Sequence, residues 1–169
     1  MDEDPARTQL SHTDADGAAH MVDVTEKLIT SRVAEAEATV SMAPATLELV
    51  RDNAAAKGDV LGVARIAGIM AAKQTSELIP LCHGLPLDHL DITFELDDHA
   101  STVKIRSVAR TQARTGVEME AMTAVAVAGL TIYDMLKAVD RAMVIGGIRV
   151  TLKSGGRSGL YRATPGRIP

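Results

Sequence analysis

The order of hydrophobic patterns predicts an α+β fold of the ferredoxin-like kind, an antiparallel sheet with helices packed on one face. Segments at residues 32–42, 91–96, 102–110 and 143–152 carry strand patterns. Helical patterns lie between the first and second strands and between the third and fourth. Asp97-Asp98-His99-Ala100 supplies a turn that joins the middle strands as a hairpin. The resulting order β-α-α-β-β-α-β is two β-α-β halves around that hairpin.

Each element has a local reason. In residues 32–42, Val33, Ala34, Ala36, Ala38 and Val40 alternate with Arg32, Glu35, Glu37 and Thr39, with one slip of phase. Pro44 opens a short helix over residues 45–53, with Leu47 and Val50 at helical spacing. After the break at residues 54–59, Asp59 is placed to cap a second helix reaching about residue 77. Its expected core stripe is Val60, Val63, Ile66, Ala67, Met70 and Ala71. The long helix spans about residues 117–139, and Thr115 and Glu118 fit a T-x-x-E capping box. Gly146-Gly147 interrupts the last strand, and residues 154–159 form a glycine-rich loop. From Ala121 to Tyr133 the long helix has no charge and is apolar nearly all round. A two-layer domain covers one side of such a helix, so the other side is expected to pack on a second subunit.

Composition narrows the function classes. The chain has 169 residues, a length suited to one domain with a substantial core. It is 46% hydrophobic and 24% charged, an ordinary globular balance, but only 2% aromatic, so aliphatic side chains and methionine must fill the core. Scarce aromatics disfavour a stacking platform for single-stranded nucleic acid, and a net charge of −4 disfavours a broad DNA-binding face. One cysteine, Cys82, allows neither an internal disulfide nor a cysteine-built zinc cage. No apolar run reaches the ~18 residues of a membrane span. The acidic start, Met1-Asp2-Glu3-Asp4-Pro5, lacks the apolar stretch of a secretory signal, so a cytoplasmic setting is expected.

Four stretches set polar groups beside glycine, proline or apolar runs. Lys57-Gly58-Asp59 reads either as a plain helix entry or as a turn that brings a lysine to a ligand. In Ile79-Pro80-Leu81-Cys82-His83-Gly84, neighbouring side chains of an extended segment point apart, so Cys82 and His83 make a poor nucleophile–base pair. That loop holds a buried cysteine and a bonded histidine, or presents His83 to a ligand. In Thr115-Gly116-Val117-Glu118-Met119-Glu120, Glu118 suits capping while Glu120 borders the uncharged run, and both are expected to stay ionised at the helix N-terminus. Asp134 closes that run one turn before Lys137, as a surface ion pair or as part of a partly buried site. Lys153 and Arg157 flank Ser154-Gly155-Gly156, either a solvated end or a grip for phosphate. Glu120 and Asp134 are about 21 Å apart along one helix, too far for one small molecule to touch both easily. Either one end is structural, or one site draws each end from a different chain.

The strings HMVDVTEK (residues 20–27), KGDV (57–60), ARIAGIMAAK (64–73), LIPLCH (78–83), TGVEMEA (115–121), LTIYDMLKAV (130–139) and KSGGRSG (153–159) occur in this order. Together they resemble the cyclic pyranopterin monophosphate synthase family, the C protein of molybdenum-cofactor biosynthesis. The likeness runs from about residue 10 to 159. It implies a lyase that converts (8S)-3′,8-cyclo-7,8-dihydroguanosine 5′-triphosphate, a GTP-derived substrate, to the cyclic pterin with release of pyrophosphate. It also implies a ferredoxin-like subunit in a homo-hexamer, a trimer of dimers with sites at the dimer interface. No metal and no organic cofactor is implied. The expected organisation is a flexible tail at residues 1–20, a single synthase domain at 21–159 and a C-terminal tail at 160–169.

Residue by residue, the resemblance implies substrate contacts at Leu81, Cys82, His83, Met119 and Glu120, and a catalytic aspartate at Asp134. Lys57, Glu118, Lys137 and Lys153 match polar positions of the family's pocket. Gly84 stands where proline or a polar residue is frequent, and Arg114 where lysine is frequent. Opening and reclosing the purine-derived ring needs several proton transfers. Lys57 and Lys137 are expected to exchange protons, with Asp134 between them, if neighbouring cations lower the lysine values. His83, Lys153 and Arg157 are candidates to neutralise the triphosphate. Two other readings compete. One is a non-catalytic nucleotide- or pterin-binding oligomer, which would not need Lys57, Asp134 and Lys137 together. The other is a metal-dependent cyclohydrolase, for which the supply of Cys and His is thin.

Overall fold

The computed structural model describes residues 18–157 and 159–164. The expected N-terminal tail lies outside the described residues as far as residue 17, as do residues 165–169 at the other end.

Strand β1, Thr30–Ser41, is the spine of the sheet. Its alternation buries Ala34, Ala36, Ala38 and Val40, and turns Glu35 and Glu37 to the other face. The phase is regular from Arg32 onward, so Val33 sits on the outer face and Arg32 on the inner one, the reverse of the expected assignment. Strand β2, His89–Asp97, and strand β3, Thr102–Ala113, form the expected hairpin. Strand β4, Val144–Ser154, runs beside β1, and Tyr161–Arg162 adds a short β5 at the edge. The order is β2-β3-β1-β4-β5, with every neighbouring pair antiparallel. This is the ferredoxin-like arrangement, with helices on one side. The register of β4 against β1 shifts twice, between Glu35 and Ala36 and between Glu37 and Thr39. The second shift faces Gly147, whose φ of +64° is the left-handed backbone that a bulge needs and glycine tolerates. The outer face carries cross-strand ion pairs, Glu35 with Arg106 at 2.9 Å and Glu37 with Arg149 at 2.6 Å.

Helix α1, Pro44–Arg51, begins on its proline and buries Leu47 and Val50. Its N-terminus is capped from a distance. The Asp140 carboxylate accepts the Ala43 N–H at 2.8 Å and the Thr46 hydroxyl at 3.2 Å. Helix α2, Val60–Lys73, starts where expected, with the Asp59 carboxylate accepting the Gly62 N–H at 2.8 Å. It stops four residues early, and α3, Thr75–Leu78, follows as a separate turn.

Helix α4, Glu118–Leu136, lies over β1, β3 and β4, with α2 along its flank. The expected capping box is absent. Val117 is the N-cap, and no side chain caps the helix. The Glu118 carboxylate pairs with Lys153 instead, at 2.5 Å, an ionic partner stronger than a backbone N–H. By length and composition α4 would suit a membrane span, yet half of that stretch is buried inside the fold.

The contact between α2 and α4 is close enough to admit only small residues. A Cβ at Gly68 would lie 2.6 Å from Ile92 Cδ1 and 2.7 Å from the Ala124 carbonyl oxygen. Ala64, Gly68, Ala71 and Ala72 therefore face inward. Val63, Ile66 and Met70, expected in the core stripe, face out and are 44%, 61% and 58% exposed. The sheet and α2 cover much of the apolar circumference of α4, while Leu130 on that helix stays 58% exposed. Of these two helices, α2 leaves the more large apolar side chains uncovered.

Replacing Gly68 by alanine drives a methyl into backbone that has no room to yield. Gly68→Ala is expected to destabilise the fold by about 1–3 kcal/mol. A lowered thermal midpoint at fixed protein concentration would show it, and an unchanged midpoint would refute the close contact.

Candidate active site

The loop after α3 and the first turn of α4 face each other across a cavity of about 360 Å³. The loop supplies Leu81, Cys82 and His83, α4 supplies Glu118, Met119 and Glu120, and the end of β4 supplies Lys153. The fold thus brings seven of the expected site residues to one place. Val22 and Lys27 also line this cavity. Next to them Asp23 accepts the Thr25 N–H at 2.8 Å. That bond, with His83 and Lys27 nearby, holds the Asp23 carboxyl below its usual value. The string at residues 20–27 was the signal for these side chains, although spacing alone gave them no role.

The two glutamates of the cavity differ. Glu118 has the Lys153 ammonium beside it. Glu120 is only 4% exposed, and among the described residues no cation pairs with it at ion-pair distance. Burial pushes the Glu120 carboxyl above its usual value of 4.5, and the Glu118 charge adds to the rise. Both carboxylates are expected to stay ionised at the helix N-terminus, and burial works against that charge at Glu120. Burial also pushes the Cys82 thiol up, with a smaller push from Glu120. A raised thiol is a poor nucleophile, in agreement with the reading of Cys82 and His83 as an unsuited pair.

Arg32 fixes the backbone that leads to Thr115, one of the residues lining this cavity. The strand pattern had assigned it to the polar face, yet it is buried, and its guanidinium donates to the Ala113 carbonyl at 3.2 Å and the Arg114 carbonyl at 3.1 Å. Those residues lead directly to Thr115. Gly155 and Gly156, at φ +102° and +71°, fold over the same arginine. A Cβ on Gly155 would lie 2.2 Å from the Ser31 carbonyl oxygen, and one on Gly156 2.0 Å from Arg32 Nη1. Close packing on Arg32 therefore explains these two glycines without a bound phosphate. Arg157 is exposed and lines neither cavity described here.

The remaining site residues gather at the other end of α4. Lys57, which precedes the left-handed Gly58, donates to the Asp134 backbone carbonyl at 2.9 Å and to Asp134 Oδ2 at 3.0 Å. Lys137 Nζ lies 2.6 Å from Asp134 Oδ1. Lys57, Tyr133, Lys137, Ala138 and Arg141 line a second cavity of about 500 Å³. The hydrogen bonds from Lys137 and then Lys57, with their charges, hold the Asp134 carboxyl below its usual value. Asp134 in turn raises Lys137 above its usual 10.5. For Lys137 this is the opposite of the expected lowering by neighbouring cations, because its ammonium meets the Asp134 carboxylate first.

Glu120 and Asp134 are fourteen residues apart on one straight helix, about 21 Å. Within one chain the two clusters stay separate. Among the described residues no group of three or more His, Cys, Asp or Glu side chains is arranged to hold a metal ion.

Because Asp134 raises Lys137, less of that lysine is free amine at any alkaline pH below its value. Asp134→Asn is therefore expected to speed trace acetylation of Lys137 severalfold at pH 9, read by mass spectrometry. An unchanged rate would show that the 2.6 Å pair does not persist in solution.

The MoaC family matches residues 21–156. A curated relative from Methylobacterium nodulans is 58% identical over 156 residues, covering 92% of this chain and 98% of its own. One from Thermomicrobium roseum is 58% identical over 154 residues, covering 91% and 93%. One from Parvibaculum lavamentivorans is 52% identical over 158 residues, covering 94% and 99%. Each of the three is named cyclic pyranopterin monophosphate synthase. With that identity sustained over nearly its whole length, the chain belongs to the MoaC family.

Proposed function

We propose that this chain is a cyclic pyranopterin monophosphate synthase, a lyase of molybdenum-cofactor biosynthesis that acts on (8S)-3′,8-cyclo-7,8-dihydroguanosine 5′-triphosphate. The observation that carries the reading is the pairing of two clusters, a recognition cavity and a Lys57–Asp134–Lys137 set, at opposite ends of α4. A molecule of nucleotide size does not bridge ~21 Å along one helix. The site is therefore shared, with the recognition cavity of one chain facing the lysine–aspartate set of another. The exposed Val63, Ile66 and Met70 on α2, with Leu130 on α4, supply apolar surface for such an assembly. We take the assembly to be a homo-hexamer, a trimer of dimers with sites at the dimer interfaces, in the cytoplasm. No metal or organic cofactor enters this reading.

The chemistry follows from the groups present. Leu81, Cys82, His83 and Met119 shape the cavity for the purine-derived ring, with Glu118 and Glu120 at its polar edge. Ring opening and reclosure move protons, and Lys57 and Lys137 are the donor and acceptor for them. Asp134 positions both ammoniums by holding one with each carboxylate oxygen. Arrival of a substrate phosphate near this set would compete with Asp134 and change the balance of each lysine. In the final step a sugar hydroxyl attacks the α-phosphorus. A new P–O bond forms and the hydroxyl proton passes to solvent, while the bond from the α-phosphorus to the bridging oxygen breaks and pyrophosphate leaves with that electron pair. Lys153 and His83, which line the recognition cavity, and Arg157 on the exposed loop beyond it are the cations assigned to the triphosphate. For Lys153, binding substrate means loosening its pair with Glu118.

Turnover of freshly generated substrate tests the proposal, following pyrophosphate and the fluorescent oxidised pterin together. Both are expected in step from the wild-type chain. Lys57→Ala is expected to lose turnover by at least about a hundredfold while keeping its fold and assembly. Substrate binding without either product would point instead to a non-catalytic binding protein of the same fold. Wild-type-like turnover in Lys57→Ala would remove that lysine from the mechanism.

A further inference from the structure

The second cavity holds more positive charge than proton transfer requires. Three of its five lining residues, Lys57, Lys137 and Arg141, are cationic. Asp134 is the carboxylate that meets both lysines, and it neutralises one charge at most. Arg141 is exposed, and among the described residues no carboxylate stands within ion-pair distance of it. The side chain nevertheless projects from a fixed turn. The Asp140 carboxylate, at the preceding position, binds the Ala43 N–H, the Thr46 hydroxyl and the Ala142 N–H at 2.8, 3.2 and 3.0 Å. The Tyr133 hydroxyl donates to the Arg141 carbonyl at 3.4 Å. The turn after α4 is thus tied to α1 on one side and to α4 on the other. It presents a guanidinium to the same space as the two lysines.

We propose that Arg141 completes a phosphate-binding site with Lys57 and Lys137, and that this site takes a phosphoryl group of the nucleotide substrate. The inference rests on the synthase reading and deepens it. Lys57 and Lys137 then have a double role, since the phosphate they help to hold also draws them away from Asp134. The guanidinium of Arg141 offers a planar fork of donors. It therefore suits the binding part of the task and leaves proton movement to the lysines. A cavity of about 500 Å³ has room for more than one phosphate. The shared chemistry admits two ligands, the triphosphate of the substrate and the pyrophosphate product.

Steady-state kinetics of the assembled enzyme with Arg141→Ala and Arg141→Lys test this, with inorganic pyrophosphate as inhibitor. Arg141→Ala is expected to raise KM about tenfold or more, with most of the loss in kcat/KM carried by KM. Arg141→Lys should recover part of it, because the charge returns without the fork. A matching loss of pyrophosphate inhibition would place the product's phosphates at the site. An unchanged inhibition constant with a raised KM would place there a substrate phosphate that does not leave as pyrophosphate. KM within about twofold of wild type in Arg141→Ala overturns the proposal. So does a fall in kcat with KM unmoved. If the wild-type chain shows no turnover at all, the synthase reading fails by itself. Calorimetry of GTP, which carries all three phosphates, binding to wild type and Arg141→Ala then still decides this one, supporting it if the substitution weakens binding about tenfold and overturning it if affinity is equal.

Discussion

Close approach between α4, α2 and the sheet is the constraint on which the rest of this molecule depends. Gly68 on α2 meets the Ala124 backbone, and Gly129 on α4 lies over Ile145, Ile105 and Val40. These contacts hold a nineteen-residue helix against both neighbours with little lateral freedom. A rod of that length is about 28 Å from end to end. One end carries Glu118 and Glu120, the other Asp134. The distance between the two halves of the chemistry is therefore a property of helix geometry and does not adjust to a substrate within one chain.

The two ends are built on different principles. At the cavity end, burial dominates: Glu120 loses its solvent, the Cys82 thiol is pushed up, and Arg32 ties the backbone before Thr115 to the Gly155–Gly156 loop. At the lysine end, charge dominates. Asp134, Lys57 and Lys137 are each about half exposed, so solvent screens their attraction and the pairs are easily exchanged for a better partner. A buried end that reads shape and an open end that trades ion partners suit a reaction in which a bound ring must change protonation several times.

Much of this was legible where the cause is local. Alternation fixed the faces of β1 from Ala34 to Val40, Pro44 opened α1, and Asp59 capped α2, because each depends on residues a few positions apart. The misreadings share one cause, a partner far along the chain. Glu118 is in capping-box register with Thr115 but pairs with Lys153. Arg32 looks like an outward strand residue, yet the carbonyls of Ala113 and Arg114 supply acceptors inside. The N-terminus of α1 draws its cap from Asp140, a residue of the turn after α4. Large apolar residues on α2 promised a core stripe, but the tight crossing with α4 reserved the inner face for alanine and glycine. For the site, the order of family strings pointed to side chains that the fold gathers, Arg157 excepted, around two cavities. Spacing along α4 showed that they divide into two groups. Pattern alone gave no role to Lys27 or Arg32, whose positions follow from the folded chain.

The central claim is that one functional site takes its two halves from different chains, and mixing inactive variants tests it most directly. Lys57→Ala removes the proton-transfer end and His83→Ala the recognition end. Dissociated and reassembled in equal amounts, the two variants should form mixed pairs in which one site of two has both halves intact. The account predicts recovery of about a quarter of wild-type turnover, from random pairing of the two chains. Turnover that stays at the level of the separate variants, with mixed assemblies shown to be present, would mean that each chain carries a whole site of its own.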